Sequence, residues 1–450
     1  MTIESFKFAG DVVMNSLTLA SPNRSKFLNI KDYLVELNIY ESIFTPGLTG
    51  TLTLTDSRNL IKLFPLIGEE LLFVDFVTPG IDADRNITKV FRVYSISDKL
   101  YAKDGSTIIY QLHFSSVEIF KNIHNPIYRA FSGQPEIIIK QIYDEYLLTQ
   151  RNFGTLNSNG SEEKFTQLFL LSETANNIKF VSPGWTPMEC INWIASNSLP
   201  VTGRANYLFW ETTKGFYFGN IDSIFDNRES VNIGEYVYSE TYINTQNPDD
   251  KTKLMNAIKS LSIDKSFDQM ANNMSGYLAS RVLNVDLYNK QFENVDYDHG
   301  KKFSSYTHSE DDKMVPLFDT NTIRNPLTYL KLNYSYPKLH DNIDQNFDEQ
   351  YKNIFGNRRS NIAELDNFKM NITIPGRTDI QVGQLIYIRL PKSSPIYRQD
   401  QNTNNDDPLY SGNYLITNIC HKVNPVSHYI SMTVTKDGFL QSTFKEAETL

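Results

Sequence analysis

The stretch IGEELLFVDF (Ile67–Phe76) and the stretch VGQLIYIRL (Val382–Leu390) read alike: in each a glycine enters a run of aliphatic and aromatic residues with the composition of a buried strand. The next strand after each copy also matches. FRVYSISDKL (Phe91–Leu100) parallels YLITNICHKV (Tyr414–Val423), pairing Phe91 with Tyr414, Val93 with Ile416, Ile96 with Ile419 and Lys99 with Lys422. Alternation then resumes at Ile108–Phe114 and at Ile430–Val434. Order and periodicity agree across three successive strands, as expected of an internal duplication. The copies differ in spacing mainly through Arg398–Pro408, an Asn-, Asp- and Gln-rich tract that reads as a surface loop.

Outward from these two anchors, Tyr33–Phe120 is almost all strand, with turns at Pro46-Gly47, Pro79-Gly80 and Asp104-Gly105. Between Lys121 and Glu235 the character changes. A helix is predicted over Gln134–Leu148, with Pro135 at its first turn and Ile138, Ile142 and Tyr146 on one face. A second begins at Thr186, where Thr186-Pro187-Met188-Glu189 is a capping box ahead of Ile191, Ile194 and Ala195. Tyr207–Trp210 and Phe216–Phe218 read as a hairpin around Lys214-Gly215. Further on, Ile258–Phe267 and Tyr277–Tyr288 are extended, Asp296–Asn346 is polar and loop-rich, and Asn357–Asp366 is a short helix. Strands return at Lys369–Ile374, Gln384–Leu390, Tyr414–Val423 and His428–Val434.

The expected fold is mainly β with α+β insertions: two similar small antiparallel β-barrel domains and an α/β middle domain. The boundaries are 1–122 for the first barrel and 123–235 for the middle domain. The second barrel starts, with a long polar insertion and a short helix, over 236–367 and closes over 368–440, and 441–450 is a tail. Gly68, Phe91, Gly383, Gly412 and Tyr414 are barrel-signature residues with a structural role.

Composition narrows the function. A formal net charge of -9 with no basic run argues against a nucleic-acid grip, which needs clustered Lys and Arg. It suits a conduit past which DNA slides. The two cysteines, Cys190 and Cys420, have no CxxC spacing, so neither a disulfide framework nor a zinc knuckle is indicated, and assembly in a reducing cytoplasm is expected. The first twenty residues lack a signal-peptide pattern and no run approaches the length of a membrane span, so no membrane association is expected.

Candidate chemistry is sparse. Asn294, Asp296 and Asp298 mimic the start of a calcium loop, but His299 stands where glycine is required and Ser305 where Glu is. Cys420 and His421 are adjacent on a strand and so point to opposite faces; a buried Cys beside a hydrogen-bonded turn His, His428 following, is the expected arrangement. Glu310-Asp311-Asp312 and Asp406-Asp407 are runs on polar loops, without the cleft that glycoside cleavage needs. Cys190 and Trp193 fit the apolar stripe of their helix, and Trp185 fits a hydrophobic staple before its cap. No catalytic, cofactor-binding or metal-ligating residue is assigned, and interface residues are left unassigned. The residues alone leave open a structural protein, a cell-wall hydrolase and a receptor- or glycan-binding protein.

Several segments resemble the baseplate hub protein of contractile-tailed bacteriophages, the trimeric hub that carries the central spike. YSGNYLITNICHKV (Tyr410–Val423) and HYISMTVTKDGF (His428–Phe439) are similar to the closing strands of its second barrel, and IPGRTDIQVGQLIYIRLP (Ile374–Pro391) to those before them. LVELNIYESIFTPGLTGTLTLTDSRNLI (Leu34–Ile61) is similar to the opening of its first barrel, and PGWTPMECINWIA (Pro183–Ala195) to the Trp-led helix of its middle domain. The resemblance covers most of the chain in order, and its motifs are packing motifs. It implies a non-enzymatic homotrimer whose two barrels per subunit form a pseudo-six-fold ring. One face would meet the tail tube or a tube-initiator protein, the other a trimeric spike, and other baseplate wedge proteins would surround it. DNA would pass without specific binding, in a virion baseplate assembled in the host cytoplasm. The segments Asp296–Asn357 and Arg398–Pro408 look longer than the family's minimum. With about sixteen residues after Val434, the spike is expected to be another chain.

Overall fold

The computed structural model describes residues 8–58, 60, 64, 66–80, 86–101, 107–148, 150–151, 164–238, 254–266, 268–286, 290–310, 313–314, 327–333, 347–391 and 406–440. The turn at Asp104-Gly105, Asp311-Asp312 and residues 398–405 of the polar loop lie outside them. The first part of the chain forms β1 (Val13–Ala20), β2 (Phe27–Asn29), β3 (Leu34–Ser42), β4 (Thr49–Asp56), β5 (Leu71–Val77), β6 (Ile87–Tyr101) and β7 (Ile108–Ser116). Their alternation makes them strands. In β4, Leu52 and Leu54 are buried while Thr49, Thr51, Thr53 and Thr55 face outward, and in β7 Tyr110, Leu112 and Phe114 point inward.

The middle section holds β8 (Ala130–Gly133), β9 (Gln150–Arg151), β10 (Lys164–Phe165), β11 (Gln167–Leu170), β12 (Ile178–Val181), β13 (Leu208–Glu211) and β14 (Gly215–Gly219). Helices Pro135–Ile142 and Pro187–Ser196 pack with the three-stranded sheet β11-β14-β13 around Ile139, Ile191, Tyr207 and Phe216. The expected capping box is present, with Thr186 and Glu189 exchanging bonds, and Cys190 is fully buried. Trp185 and Trp193 lie 6.0 Å apart against this core, as their packing readings anticipated.

The rest comprises β15 (Asn232–Val237), β16 (Ser260–Ser266), β17 (Ala279–Asp286), β18 (Gln291–Asp298), β19 (Lys313–Met314), β20 (Leu327–Asn333), β21 (Phe368–Pro375), β22 (Leu385–Arg389), β23 (Gly412–Val423), β24 (His428–Thr435) and β25 (Phe439–Leu440). Two features depart from the sequence reading. The polar stretch after Asp296 includes a strand, β20, which joins β18 and β17 in a small sheet. The short helix expected at Asn357 instead runs over Phe347–Glu364. Its inward face is polar, with Asn357, Ser360, Asn361 and Glu364 all buried, so it has little hydrophobic stripe to read.

One large sheet unites both ends of the chain in the order β16-β21-β24-β23-β3-β4-β7-β6-β5-β1-β2, with β22 also on β23 and β15 on β22. It contains the same antiparallel run twice: β5-β6-β7-β4-β3 and β22-β23-β24-β21-β16. Even a bulge repeats, between Val93 and Ser95 in one run and between Ile416 and Asn418 in the other. Each half has its own core, around Leu52, Phe91 and Phe114 in the first and Ile372, Tyr414 and Val434 in the second. The outermost strands differ, since β1 is antiparallel to β5 whereas β15 is parallel to β22. Each half also curls back on itself. The N–H of Ile30, ahead of β3, donates to the Leu17 carbonyl of β1 (2.9 Å), and Val237 of β15 bridges Ala257, ahead of β16.

Candidate functional site

The two halves join where β23 changes partner. Its first residues, Gly412–Leu415, pair with β22, and Asn418–Val423 pair on the same side with β3, so a strand of the first half completes the sheet of the second. In the first half the equivalent strand is β6, whose Ile87–Arg92 pairs with β5. From Ser95 to Tyr101, among the described residues, β6 has a ladder partner on one side only, β7. The equivalent of β3 is β16, whose one ladder partner among the described residues is β21. Tyr94, Leu100, Tyr101 and Ile263 are exposed along these two open edges. Unpaired edges of this kind are templates for pairing with another strand.

Behind the junction lies a buried polar centre. Leu37, Ile39 and Glu41 share the inward face of β3, so Glu41 is placed inside by strand parity and is 2% exposed. It accepts the N–H of Thr213 (3.0 Å), in the turn of the β13–β14 hairpin, and of Val382 (3.4 Å), in the second half. Burial pushes its carboxyl up to about 7 against the pull of these donors and of Lys89. Lys89, inward on β6 with Ile87 and Phe91, is itself fully buried, and its Nζ meets Glu211 (2.5 Å) and the Thr212 carbonyl (2.9 Å). The other oxygen of Glu211 accepts the Leu48 N–H (2.9 Å) and the Ser116 hydroxyl. The hairpin turn is therefore a wedge that ties both halves to the middle section.

His421, on β23, and His428, on β24, are both fully buried, with Nδ1 of the first 3.1 Å from Nε2 of the second. Burial lowers His421 to about 3 and His428 well below its ordinary value, so the pair is neutral and one ring donates to the other. This corrects the sequence reading of this strand: the histidine is the buried member, and Cys420 on the opposite face is half-buried. A second buried centre surrounds Arg204. It bonds Asp222 (2.8 Å), Asn361 (3.2 Å) and the Thr307 carbonyl (2.7 Å), with Glu364 at 3.4 Å and Asp437 at 3.9 Å. That one side chain pins the middle section to the long helix and to the segment after β24.

Across the junction runs a face of hydroxyls and amides. Tyr40, Ser42, Thr49, Ser260, Ser262, Asn371, Thr373, Asn418, Cys420, Ser431 and Thr433 line a cleft of about 540 Å³ on it.

Of the signature residues, Phe91 and Tyr414 fall at equivalent places in the two ladders, and Gly68 and Gly383 lie one residue out of step. Gly68 and Gly383 precede β5 and β22 with φ of +87° and +84°, a conformation only glycine adopts freely. Phe91 stands opposite Leu72 and Tyr414 opposite Ile386, both fully buried, while Gly412 stands opposite Ile388. The calcium-loop mimic lies on β18, where Asp296 forms a two-pronged bond with Arg281 and Asp298 caps the helix His299–Lys302. Glu310 accepts the Asn413 N–H (2.7 Å). Sequence reading missed Glu41, Lys89, Glu211 and Arg204. For Glu41 and Lys89 the signal was available, a charge at an inward position of an alternating strand. Arg204 sits in a loop that gives none.

No family model and no curated protein matches the sequence. Among solved structures, the tail protein from Neisseria meningitidis MC58 is similar at a TM-score of 0.52 and 10% identity, over 94% of this chain and 97% of that one. The 43 kDa tail protein of prophage MuSo2 from Shewanella oneidensis is similar at a TM-score of 0.51 and 12% identity, over 94% and 98%. At these identities the likeness is one of fold. The chain shares the fold of these two tail proteins over nearly its whole length.

Proposed function

We propose that this chain is a structural, non-enzymatic baseplate hub protein of a contractile phage tail. Three copies form a pseudo-six-fold ring that joins a hexameric tail tube to a trimeric spike and leaves a channel for DNA. The single observation that carries the reading is the repeated strand run within one continuous sheet, β5-β6-β7-β4-β3 followed by β22-β23-β24-β21-β16. A chain with two alike modules lets a three-fold assembly offer six similar faces. In this reading residues 1–122 and 236–440 are the two barrel modules, 123–235 braces them, and the ring sits in the virion tail against tube, spike and wedge proteins. The face carrying Thr49, Thr373, Asn418 and Thr433, rich in hydroxyls and amides, lines the channel.

Light scattering during gel filtration tests this directly. A trimer that co-elutes with spike protein is expected, and loss of both on removing residues 368–440. A chain that stays monomeric with its spike present, or that clears a cell-wall zymogram, would contradict the reading.

A further inference from the structure

We propose that a second copy of this chain adds its β16 to the open edge of β6, antiparallel and in one register, and that matched bulges set that register. The inference rests on the hub reading and specifies its subunit joint. The internal β23–β3 ladder is the template, with Cys420 opposite Tyr40 and Lys422 opposite Asn38. Position by position, the repeated ladders equate Ser97 with Cys420 and Leu100 with Lys422, since Ser97 faces Gln111 as Cys420 faces Ser431. They likewise equate Lys265 with Tyr40 and Ser262 with Asn38, through the partners Lys369 and Asn371 on β21 and Thr49 and Thr51 on β4. The intersubunit ladder therefore places Ser97 opposite Lys265 and Leu100 opposite Ser262.

Between those two pairs each open strand carries one more residue than its counterpart in the template. On β6 the register shifts between Ser97 and Leu100, where Asp98 has φ +50°, and on β16 it shifts between Ile263 and Lys265. In β23 and β3 the corresponding steps, Cys420 to Lys422 and Tyr40 to Asn38, show no shift. Two bulges at the same level of a ladder compensate each other, whereas either alone would throw half of it out of register and turn its side chains to the wrong face. In this register Asp98 falls opposite Asp264 and Lys99 opposite Ile263, with Lys265, opposite Ser97, next to Asp264 on its own strand. Pairing also removes both open edges: each chain contributes the run β16-β21-β24-β23-β3-β4-β7-β6, and joining such runs end to end closes a ring of strands.

Cysteine pairs on either side of the bulges test this in the full chain, with Cys420→Ser as background. Ser97→Cys with Lys265→Cys, and separately Leu100→Cys with Ser262→Cys, should each give covalent dimers and trimers under copper-phenanthroline oxidation. Leu100→Cys with Ile263→Cys, one residue out of register, should not. Wild-type protein that is trimeric by light scattering while neither pair links would overturn this joint and leave the hub reading standing. Linking by only one of the two pairs would overturn the matched bulges. Wild-type protein that is monomeric even with spike present would overturn both.

Discussion

Glu70 and Gln384 perform one task at equivalent places in the two halves. Each turns its side chain back to accept an N–H three residues earlier, that of Ile67 for Glu70 (2.7 Å) and that of Gln381 for Gln384 (2.8 Å). Each also offers its own carbonyl to the neighbouring strand, at Val93 (2.8 Å) and Ile416 (2.9 Å). The glycines at positive φ between them make the tight turn possible. Glu70 takes a second N–H, from Gly68 (3.0 Å), which a glutamine's single acceptor oxygen would share poorly. Glu70→Ala and Gln384→Ala should each lower stability by about 1 to 3 kcal/mol, and Glu70→Gln by less than Glu70→Ala. Urea midpoints of the three variants check the order.

Glu41 should make stability depend on pH in a direction opposite to most carboxylates. Its folded value is raised to about 7 from an ordinary 4.5, so the folded chain holds this proton more tightly than the unfolded one. The contribution is fully present below about 4.5 and lost as pH rises through about 7. Glu41→Gln removes the titration while keeping the shape. The stability difference, wild type minus variant, should therefore grow by about 3 kcal/mol as pH falls from 7.5 to 4.5. His421 and His428 act in the other sense: their lowered values cost stability as pH falls below 6.5, so the variant should be the more acid-sensitive protein. A difference that stays flat across this range would disprove the assignment.

Arg204 compensates three buried carboxylates, Asp222, Glu364 and Asp437. Arg204→Met leaves them facing one another and should cost about 3 to 5 kcal/mol, the usual penalty for removing one side of a buried ionic cluster. Arg204→Lys keeps the charge but cannot reach Asp222, Asn361 and Thr307 at once, so it should recover only part of that loss. Because the contacts join separate segments, limited proteolysis of Arg204→Met should release the long helix Phe347–Glu364 before the strands of the large sheet are cut.

The sequence made the strands of both ends legible because their apolar residues alternate, and it exposed the duplication because Phe91 and Tyr414 repeat the same inward parity. It did not reveal that β23 borrows β3 from the other half, since strand partners leave no mark on periodicity. Of the long helix the last turns were legible, as Asn357–Asp366, and the start at Phe347 was not. Its buried face carries Asn357, Asn361 and Glu364, which pair with Arg204 and with the Ala205 N–H, and so leaves no continuous apolar stripe to follow. Strand β18 escaped for a related reason: Asn294, Asp296 and Asp298 lie on one face, and only Val295 and Tyr297 mark the other. The cysteine at 420 misled because Cys is usually the buried residue of such a pair, yet parity along β23 assigns the inside to His421.

Gly376 should prove irreplaceable for a reason unrelated to backbone freedom. A Cβ there would lie 2.0 Å from Cγ of His428, whose ring is fully buried. Its Nε2 meets His421, it packs nearly perpendicular to Phe76 at 5.5 Å between ring centres, and its backbone bonds both Gly10 (2.8 Å) and Gly376 (2.8 Å). Because the ring is fully buried and tied to His421, Gly376→Ala should cost about 3 kcal/mol, the upper end of ordinary overpacking. His428→Ser makes room but leaves Nδ1 of His421 without its partner, so it also destabilises, by about 1 to 3 kcal/mol. Removing the ring removes the three atoms nearest the added methyl, Cγ, Nδ1 and Cδ2 of His428, and the smaller serine hydroxyl can turn away from it. The double variant Gly376→Ala/His428→Ser should therefore be as stable as His428→Ser alone, a coupling of about 3 kcal/mol between two residues in contact. Additive losses in urea unfolding would mean that Gly376 is needed for its own backbone and not for the histidine beside it.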